Sequence, residues 1–574
     1  REIYQLMQLA GKNRFRAIAF DRAAQSVEAL NENITDYIEN ETLTDIKGIG
    51  QSIAEDIKQY AETGKIEVLE ALRKEIPPGV IRWLDISGLG PKNIVKIHKE
   101  LGISELAELK EACLDGRVAS LEGLGKKSAE KICASIEWME QFENRCRLDQ
   151  AAAIAKPMFD FLKAQPGVEQ IEIAGSLRRS METVGDVDIL IAAKKSFITP
   201  LFDAFVEHHL VTEVLGRGDT KSSIRTADGR QVDLRIVKPE QFAAALMYFT
   251  GSKEHNVLLR GRARKRGFGL NEYGLFKLDE GGNTNFEKPV DYESEQDIYQ
   301  KLDLHFVPPE LREGRGEIEY FEKHETINLV ESDDIRGILH AHSTWSDGKF
   351  SIRQMAEACI ERGYEYLGIT DHSLTAAYAG GLKPDEVKKQ WEEIDRLNDE
   401  FETNNISFHI FKGIESDILG DGSLDYNEKL LEGFDFVIAS VHQNLTMPRE
   451  KMMSRFRNAI KHPAARIVGH PTGRLLLKRD GSDLNMNELI ELAAEHNTAI
   501  EINANPHRLD LDWRHGNKAL EVGLMSSINP DAHSINGIDV MPFGIKIARK
   551  AKFNKERILN TKSADELRRW FVAQ

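Results

Sequence analysis

The sequence predicts a multidomain chain: a helical N-terminal region, a mixed α+β region, then a parallel α/β region. Three observations carry this. An apolar-x-Gly-apolar-Gly signature recurs three times before about residue 145. Strand patterns begin near Gln170, and two of the strands carry aspartates. From Ile335 onward, short apolar strands alternate with helical stretches, as a parallel α/β architecture requires. The chain has 574 residues, too many for one core, and domain-size priors give about three to five domains.

The N-terminal copies are Ile46-Lys47-Gly48-Ile49-Gly50, Ile86-Ser87-Gly88-Leu89-Gly90 and Leu121-Glu122-Gly123-Leu124-Gly125. Each runs into a helical apolar stripe: Ala54 and Ile57, Ile94 and Ile97, Ala129 and Ile132. Glycine permits a turn with positive φ and close approach of the backbone. The turn presents free N–H groups at a helix start, which suits a phosphate oxygen. One copy reads equally well as a turn joining two packed helices, whereas three at matched spacing favour a repeat. The signature resembles the helix-hairpin-helix motif. That resemblance implies that Gly48, Gly50, Gly88, Gly90, Gly123 and Gly125 grip a DNA backbone without reading its sequence.

In the middle region, Ile171 to Ala174 reads as a strand, followed by Gly175-Ser176 and the cationic turn Leu177-Arg178-Arg179. Asp186 to Ile191 reads as a second strand and Gln231 to Val237 as a third. Side chains at i and i+2 of a strand share a face. Asp186 and Asp188 therefore project together, and Asp233 on a neighbouring strand completes a three-carboxylate cluster. Such a cluster suits two Mg²⁺ ions, one activating an attacking 3′-hydroxyl and the other stabilising the leaving pyrophosphate. Gly175 lets the backbone approach a triphosphate, and Ser176 and the planar fork of Arg179 can bond its outer oxygens. Asp-x-Asp alone is often a solvated turn; the combination is far more specific.

These residues resemble the DNA polymerase beta superfamily. Tyr248-Phe249-Thr250-Gly251-Ser252, followed by Asn256 and Arg260, resembles the nucleotide-selecting segment of family X DNA polymerases, and Asn271-Glu272-Tyr273 also matches. By themselves Tyr248 and Phe249 would read as core aromatics; their place after the third aspartate gives them weight. The resemblance covers roughly residues 1 to 311. It implies catalytic Asp186, Asp188 and Asp233 holding Mg²⁺ or Mn²⁺. It implies a nucleotide site of Gly175, Ser176, Arg179, Gly185, Tyr248, Phe249, Gly251 and Asn256, with Arg260 on DNA. Two departures stand out. Asp56 occupies the place of the lysine that, in polymerase beta, attacks a deoxyribose phosphate through a Schiff base. A carboxylate cannot form one, and Lys58 and Lys65 are out of register, so lyase chemistry by that route is not expected. Gln231 stands where the family often has an arginine.

The C-terminal region carries an ordered series of candidate metal ligands: His340 and His342, Asp347, His372, Glu415, His442, His470, Asp531 and His533. Nearly all follow a predicted strand, where parallel α/β barrels gather functional residues. Mixed imidazole and carboxylate donors suit Zn, Mn or Fe better than Mg or Ca alone. A lone histidine such as His208 or His462 is better read as an ordinary surface or core residue. The series resembles the PHP (polymerase and histidinol phosphatase) family over about residues 334 to 574. The resemblance implies a distorted (β/α)7 barrel and up to three Zn²⁺, Mn²⁺ or Fe²⁺ ions held by those nine residues.

The expected domains are therefore 1–80 and 81–145 (helix-hairpin-helix), 146–240 (nucleotidyltransferase palm), 241–311 (nucleotide selection and thumb), 312–333 (a charged linker with Gly314 and Gly316) and 334–574 (PHP barrel). The order resembles bacterial and archaeal family X polymerases with a C-terminal PHP domain. It implies gap filling with dNTPs on gapped or primer-template DNA, 3′–5′ exonuclease action, and abasic-site endonuclease or 3′-phosphatase activity. Alternatives are a small-molecule phosphatase fused to an inactive nucleotidyltransferase, and a non-catalytic DNA-binding scaffold. The hairpin repeats speak against the first and the intact ligand sets against the second. No apolar stretch reads as a membrane span and no secretory signal opens the chain. Four cysteines without a CxxC pair fit a reducing cytoplasm, and a cytoplasmic monomer is expected. The net charge of −17 argues against a generic DNA binder. Metal-holding carboxylates inflate that sum, and backbone N–H groups can hold DNA without a basic surface.

Overall fold

Each N-terminal signature closes the same turn. The N–H of the second apolar residue donates to the carbonyl of the first: Ile49 to Ile46 at 3.0 Å, Leu89 to Ile86 at 3.2 Å and Leu124 to Leu121 at 2.9 Å. Gly48 and Gly123 take φ of +96° and +81°, the left-handed region that glycine enters without a Cβ clash. Gly50, Gly90 and Gly125 immediately precede the helices Gln51–Thr63, Pro91–Leu101 and Lys126–Gln141. A Cβ at any of the three would meet nothing within 4 Å, so no neighbouring segment packs over these glycines. Ile94, Ile97, Ala129 and Ile132 are buried around Trp83.

The computed structural model describes residues 2–28, 34–46, 48–86, 89–141 and 145–572. Gly88 of the second hairpin lies outside them. The chain divides into two compact units, residues 1–143 with 477–479, and 144–476 with 480–574.

The second unit begins with a short antiparallel pair, β1 (Cys146–Arg147) and β3 (Thr183–Val184). The sheet beside it contains β2 (Val168–Ile173), β4 (Asp186–Ala193), β5 (Val211–Arg217), β6 (Lys221–Thr226) and β7 (Gln231–Val237), in the order β2-β4-β7-β6-β5. Only β4 and β7 pair in parallel, with Asp188 opposite Asp233 and Asp186 opposite Gln231. Val187, Ile189 and Ile191 join the core formed with helices Leu148–Lys163 and Ile198–Val206. On the other face Leu190 and Ala192 are covered by helix Phe242–Thr250. The two-residue period thus puts the aspartates on the face that the next subdomain caps.

That subdomain packs helices Phe242–Thr250, Lys253–Lys265 and Glu295–Lys301 with a three-stranded antiparallel sheet, β8 (Phe268–Asn271), β9 (Gly274–Leu278) and β10 (Thr284–Pro289). Residues 312–333, expected to be a linker, send several side chains into its core. Ile318, Phe321 and Leu329 pack with Leu259, Leu275 and Tyr299. Arg312 is fully buried, donating to the Val307 carbonyl at 2.9 Å and to Glu295 at 2.5 Å. Buried Glu317 meets His255 Nδ1 at 2.6 Å. Arg312 and Glu317, which read as solvated charges, are paired inside, and Gly314 and Gly316 make left-handed turns rather than a flexible spacer.

The remainder is a seven-stranded parallel sheet in sequential order: β11 (Gly337–Ala341), β12 (Tyr366–Ile369), β13 (His409–Asp417), β14 (Phe436–Ser440), β15 (Ala465–Val468), β16 (Ala499–Asn503) and β17 (Ser526–Asn529). It curls nearly shut. The Leu339 N–H donates to Asn529 Oδ1 at 3.0 Å, and Ala341 bridges Ala532 in parallel. The C-terminal helix Ala564–Val572 packs Phe571 against Phe411 and Phe436. No helix among the described residues is long and apolar enough to cross a membrane.

Candidate active sites

In the first site, carboxylate oxygens of Asp186, Asp188 and Asp233 lie within 4.8 Å of one another. Asp233 is buried and held from both sides: Lys221 Nζ at 2.6 Å and Gln231 Nε2 at 2.9 Å. Gln231 therefore orients the third carboxylate by a neutral bond, and Lys221, unremarked in the sequence, supplies the charge. Burial, and then the neighbouring Asp186 and Asp233, push Asp188 up to about 7. Three crowded carboxylates are a donor set that fits divalent cations, which relieve this repulsion.

Gly175 opens the short helix Gly175–Arg178 with φ of +63°. A Cβ there would stand 2.1 Å from Asp188 Oδ2, so only glycine lets this helix start, and Ser176 beside it, approach the carboxylates. Gly185 directly precedes β4. The Arg179 guanidinium, expected to bond phosphate oxygens, is engaged by Glu313 at 2.9 Å and the Thr250 carbonyl at 2.9 Å. Tyr248 and Phe249 meet edge to face at 5.2 Å. Asn256 Nδ2 donates to the Tyr248 carbonyl at 2.7 Å, and a Cβ on Gly251 would strike Asn256 Oδ1 at 2.5 Å. Asn256 thus fastens the Tyr248–Gly251 segment. Arg260 lines a separate groove of about 370 Å³ with Arg264, Asn271 and Phe286. Glu272 and Tyr273 line another, of about 920 Å³, with Arg217, Arg235 and Phe249.

In the second site the barrel strands bring all nine expected ligands to their C-terminal ends. Three groups form within 4.8 Å: His342, Asp347, His372 and His533; His340, His342 and Asp531; and His372, Glu415 and His442. His470 joins through Glu415 at 3.1 Å. His340 Nε2, His342 Nδ1, His372 Nδ1, His470 Nδ1 and Glu415 Oε1 are buried without a hydrogen-bond partner. Orphaned donor atoms on residues of these groups fit metal ligation.

Buried carboxylates around this pocket fix the imidazoles, and the sequence reading missed them. His340 Nδ1 donates to Glu501 at 2.7 Å, and His442 Nδ1 donates to Asp417 at 2.6 Å. Each bond leaves Nε2 to face the pocket. Asp371 is bonded by Ser343, Ser346 and Gln390 and fixes the loop before Asp347. Burial opposes the charge on His442, but Glu415 and Asp417 raise it to about 10. Burial and the neighbouring His533 and His372 hold His342 down to about 3. A signal for Asp417 and Glu501 was present: both are acidic residues in apolar barrel strands, Asp417 at the end of β13 and Glu501 in the middle of β16.

The folds and sites define a nucleotidyltransferase joined to a metal-dependent hydrolase barrel. Family models agree: two helix-hairpin-helix models match residues 1–66 and 82–137, the DNA polymerase beta thumb matches 245–313, and the PHP domain matches 339–505. The chain is 40% identical to the DNA polymerase/3′-5′ exonuclease PolX of Bacillus subtilis (strain 168) over 98% of its own length and 96% of that protein. It is 23% identical to rat DNA polymerase lambda over 52% of this chain and 53% of lambda. It is also 26% identical to a probable phosphatase of Caldanaerobacter subterraneus over 40% of this chain and 89% of the phosphatase. The chain belongs to the family X DNA polymerases that carry a C-terminal PHP domain.

Proposed function

We propose that the chain fills short gaps in damaged DNA, adding dNTPs to a 3′-hydroxyl at Asp186, Asp188 and Asp233, and that its barrel resects 3′ ends. The observation that carries this reading is the coexistence of two complete donor sets on one chain that begins with helix-hairpin-helix turns. In the palm, Mg²⁺ or Mn²⁺ held by the three aspartates would supply a polarised 3′-oxygen and charge neutralisation at pyrophosphate. The chain's own contribution is positional. Gly175 and Ser176 bring backbone N–H groups to the triphosphate, Lys221 and Gln231 fix Asp233, and Asn256 fixes Tyr248 and Phe249 against the sugar. Arg179 must leave Glu313 to reach a phosphate.

In the barrel, the nine ligands would hold up to three Zn²⁺, Mn²⁺ or Fe²⁺ ions, which polarise a phosphodiester and lower the pKa of water. Glu501 and Asp417 keep His340 and His442 in the tautomer that presents Nε2. The same chemistry extends to 3′-phosphates and abasic sites, and the likeness to a probable phosphatase supports including the former. The chain acts as a monomer in this reading. Incubating the full chain with a one-nucleotide gap should give extension when dNTPs are present and 3′ shortening when they are withheld, both lost with chelator. A protein that binds the gap but does neither would be a scaffold. One that cleaves only small phosphomonoesters would be a metabolite phosphatase.

A further inference from the structure

Tyr378 is an exposed aromatic that neither site uses. It is 69% exposed, yet its ring centroid lies 6.3 Å from that of the ligand His372. The charges of Asp417, Glu415, Asp347 and Arg508 all act on its hydroxyl. It stands at the rim where Asp347 and His533 are the most open ligands, their side chains 38% and 35% exposed. Arg508 borders the same pocket, 3.9 Å from Asp531.

The loop that carries Tyr378 is rigidly built. It leaves His372 and returns through a parallel bridge between Ser373 and Leu382, with the Leu382 N–H donating to the His372 carbonyl at 2.9 Å. Thr375 donates from its N–H to Asp425 at 2.6 Å and from its hydroxyl to Asp417 at 3.0 Å. The Tyr426 hydroxyl donates to the Leu382 carbonyl at 2.5 Å. Ala376, Ala379 and Leu382 are buried beneath, and a Cβ on Gly381 would stand 1.9 Å from the Ser373 carbonyl oxygen. The loop therefore turns Ala376, Ala379 and Leu382 inward and holds Tyr378, with Leu374, 41% exposed, outward. A phosphate or a water needs no such surface. A nucleobase does, because every base has a π-face and stacks on an aromatic ring.

We propose that Tyr378 is a positioning residue of the barrel, stacking on the terminal nucleobase of the 3′ end being resected. This rests on the reading of the barrel as a 3′-end hydrolase. It makes the barrel selective for base-bearing ends over base-free esters of the same phosphate chemistry.

The test compares the full-length, metal-loaded wild type with Tyr378→Ala and Tyr378→Phe. The substrates are two oligonucleotides differing only at the 3′-terminal residue: a normal nucleotide or a base-free tetrahydrofuran analogue. On the normal end, Tyr378→Ala should raise KM roughly tenfold, within the range expected for loss of one stacked base, while Tyr378→Phe stays within about twofold because phenylalanine keeps the ring. On the base-free end all three should perform alike. Equal losses by Tyr378→Ala on both ends, or no loss on either, would overturn the proposal. A wild type that resects neither end would overturn the 3′-hydrolase reading and the proposal with it, a result distinct from either of those.

Discussion

Single residues here act mainly by holding other residues. Glu295 is the clearest structural case. Burial alone would raise its carboxyl, but Arg312 and Arg178 outweigh that and bring it down to about 2 from an ordinary 4.5. Arg178 grips it with two bonds, at 2.8 and 3.0 Å. A depressed carboxylate stabilises the fold fully above its ordinary pKa, and this is lost as pH falls through the folded value. The contribution is about 3 kcal/mol at 1.36 kcal/mol per unit. The melting temperatures of wild type and Glu295→Gln should differ most near neutral pH, and the gap should close between pH 4.5 and 2. A gap that widens in acid would contradict the pairing. Glu501 plays the corresponding part in chemistry. An amide in its place can donate to His340 Nδ1 and reverse the tautomer. Glu501→Gln should therefore lower resection by roughly 10–100-fold, with primer extension unchanged in the same preparation.

At the scale of elements, the sequence was legible wherever chemistry follows a short period. The i, i+2 spacing of Asp186 and Asp188 placed both on one face of β4, and the parallel register with β7 brought Asp233 beside them. The ordered histidines mapped onto strand ends because a barrel repeats one unit. Residues 312–333 were not legible, because Arg312 and Glu317 look solvated until their buried partners, far away in sequence, are known. The engagement of Arg179 by Glu313 was hidden for the same reason. The hairpin turns give an element-level prediction. Gly90 has an extended φ of −77° as the N-cap of Pro91–Leu101, and aspartate is a favourable N-cap. Gly90→Asp should thus leave thermal stability intact, while placing a carboxylate where a DNA phosphate would dock. Binding of gapped DNA, measured by anisotropy at fixed salt, should weaken several-fold, as expected when a phosphate contact is replaced by repulsion. Unchanged affinity would remove this turn from the DNA interface.

Across the second unit, the nucleotidyltransferase and the barrel are joined by buried polar contacts. Glu182, just before β3, accepts from Trp513 Nε1 at 3.0 Å and Arg514 at 2.7 Å. Lys550, at the end of helix Met541–Lys550, donates to the carbonyls of Arg179 and Glu310 at 3.0 Å and to Glu313 at 2.5 Å. Removing one partner from such a buried set costs roughly 3–5 kcal/mol, so Lys550→Met should lower the melting temperature by several degrees. A neutral effect would mean that the two halves are held mainly by their shared apolar core. The proposed function requires that one chain carries two independent metal sites acting on the same DNA. It is tested most directly on a one-nucleotide gap with Asp188→Ala and His372→Ala compared side by side. Asp188→Ala should abolish extension and spare 3′ resection, and His372→Ala should do the reverse. Loss of both activities in either variant would contradict the two-site account.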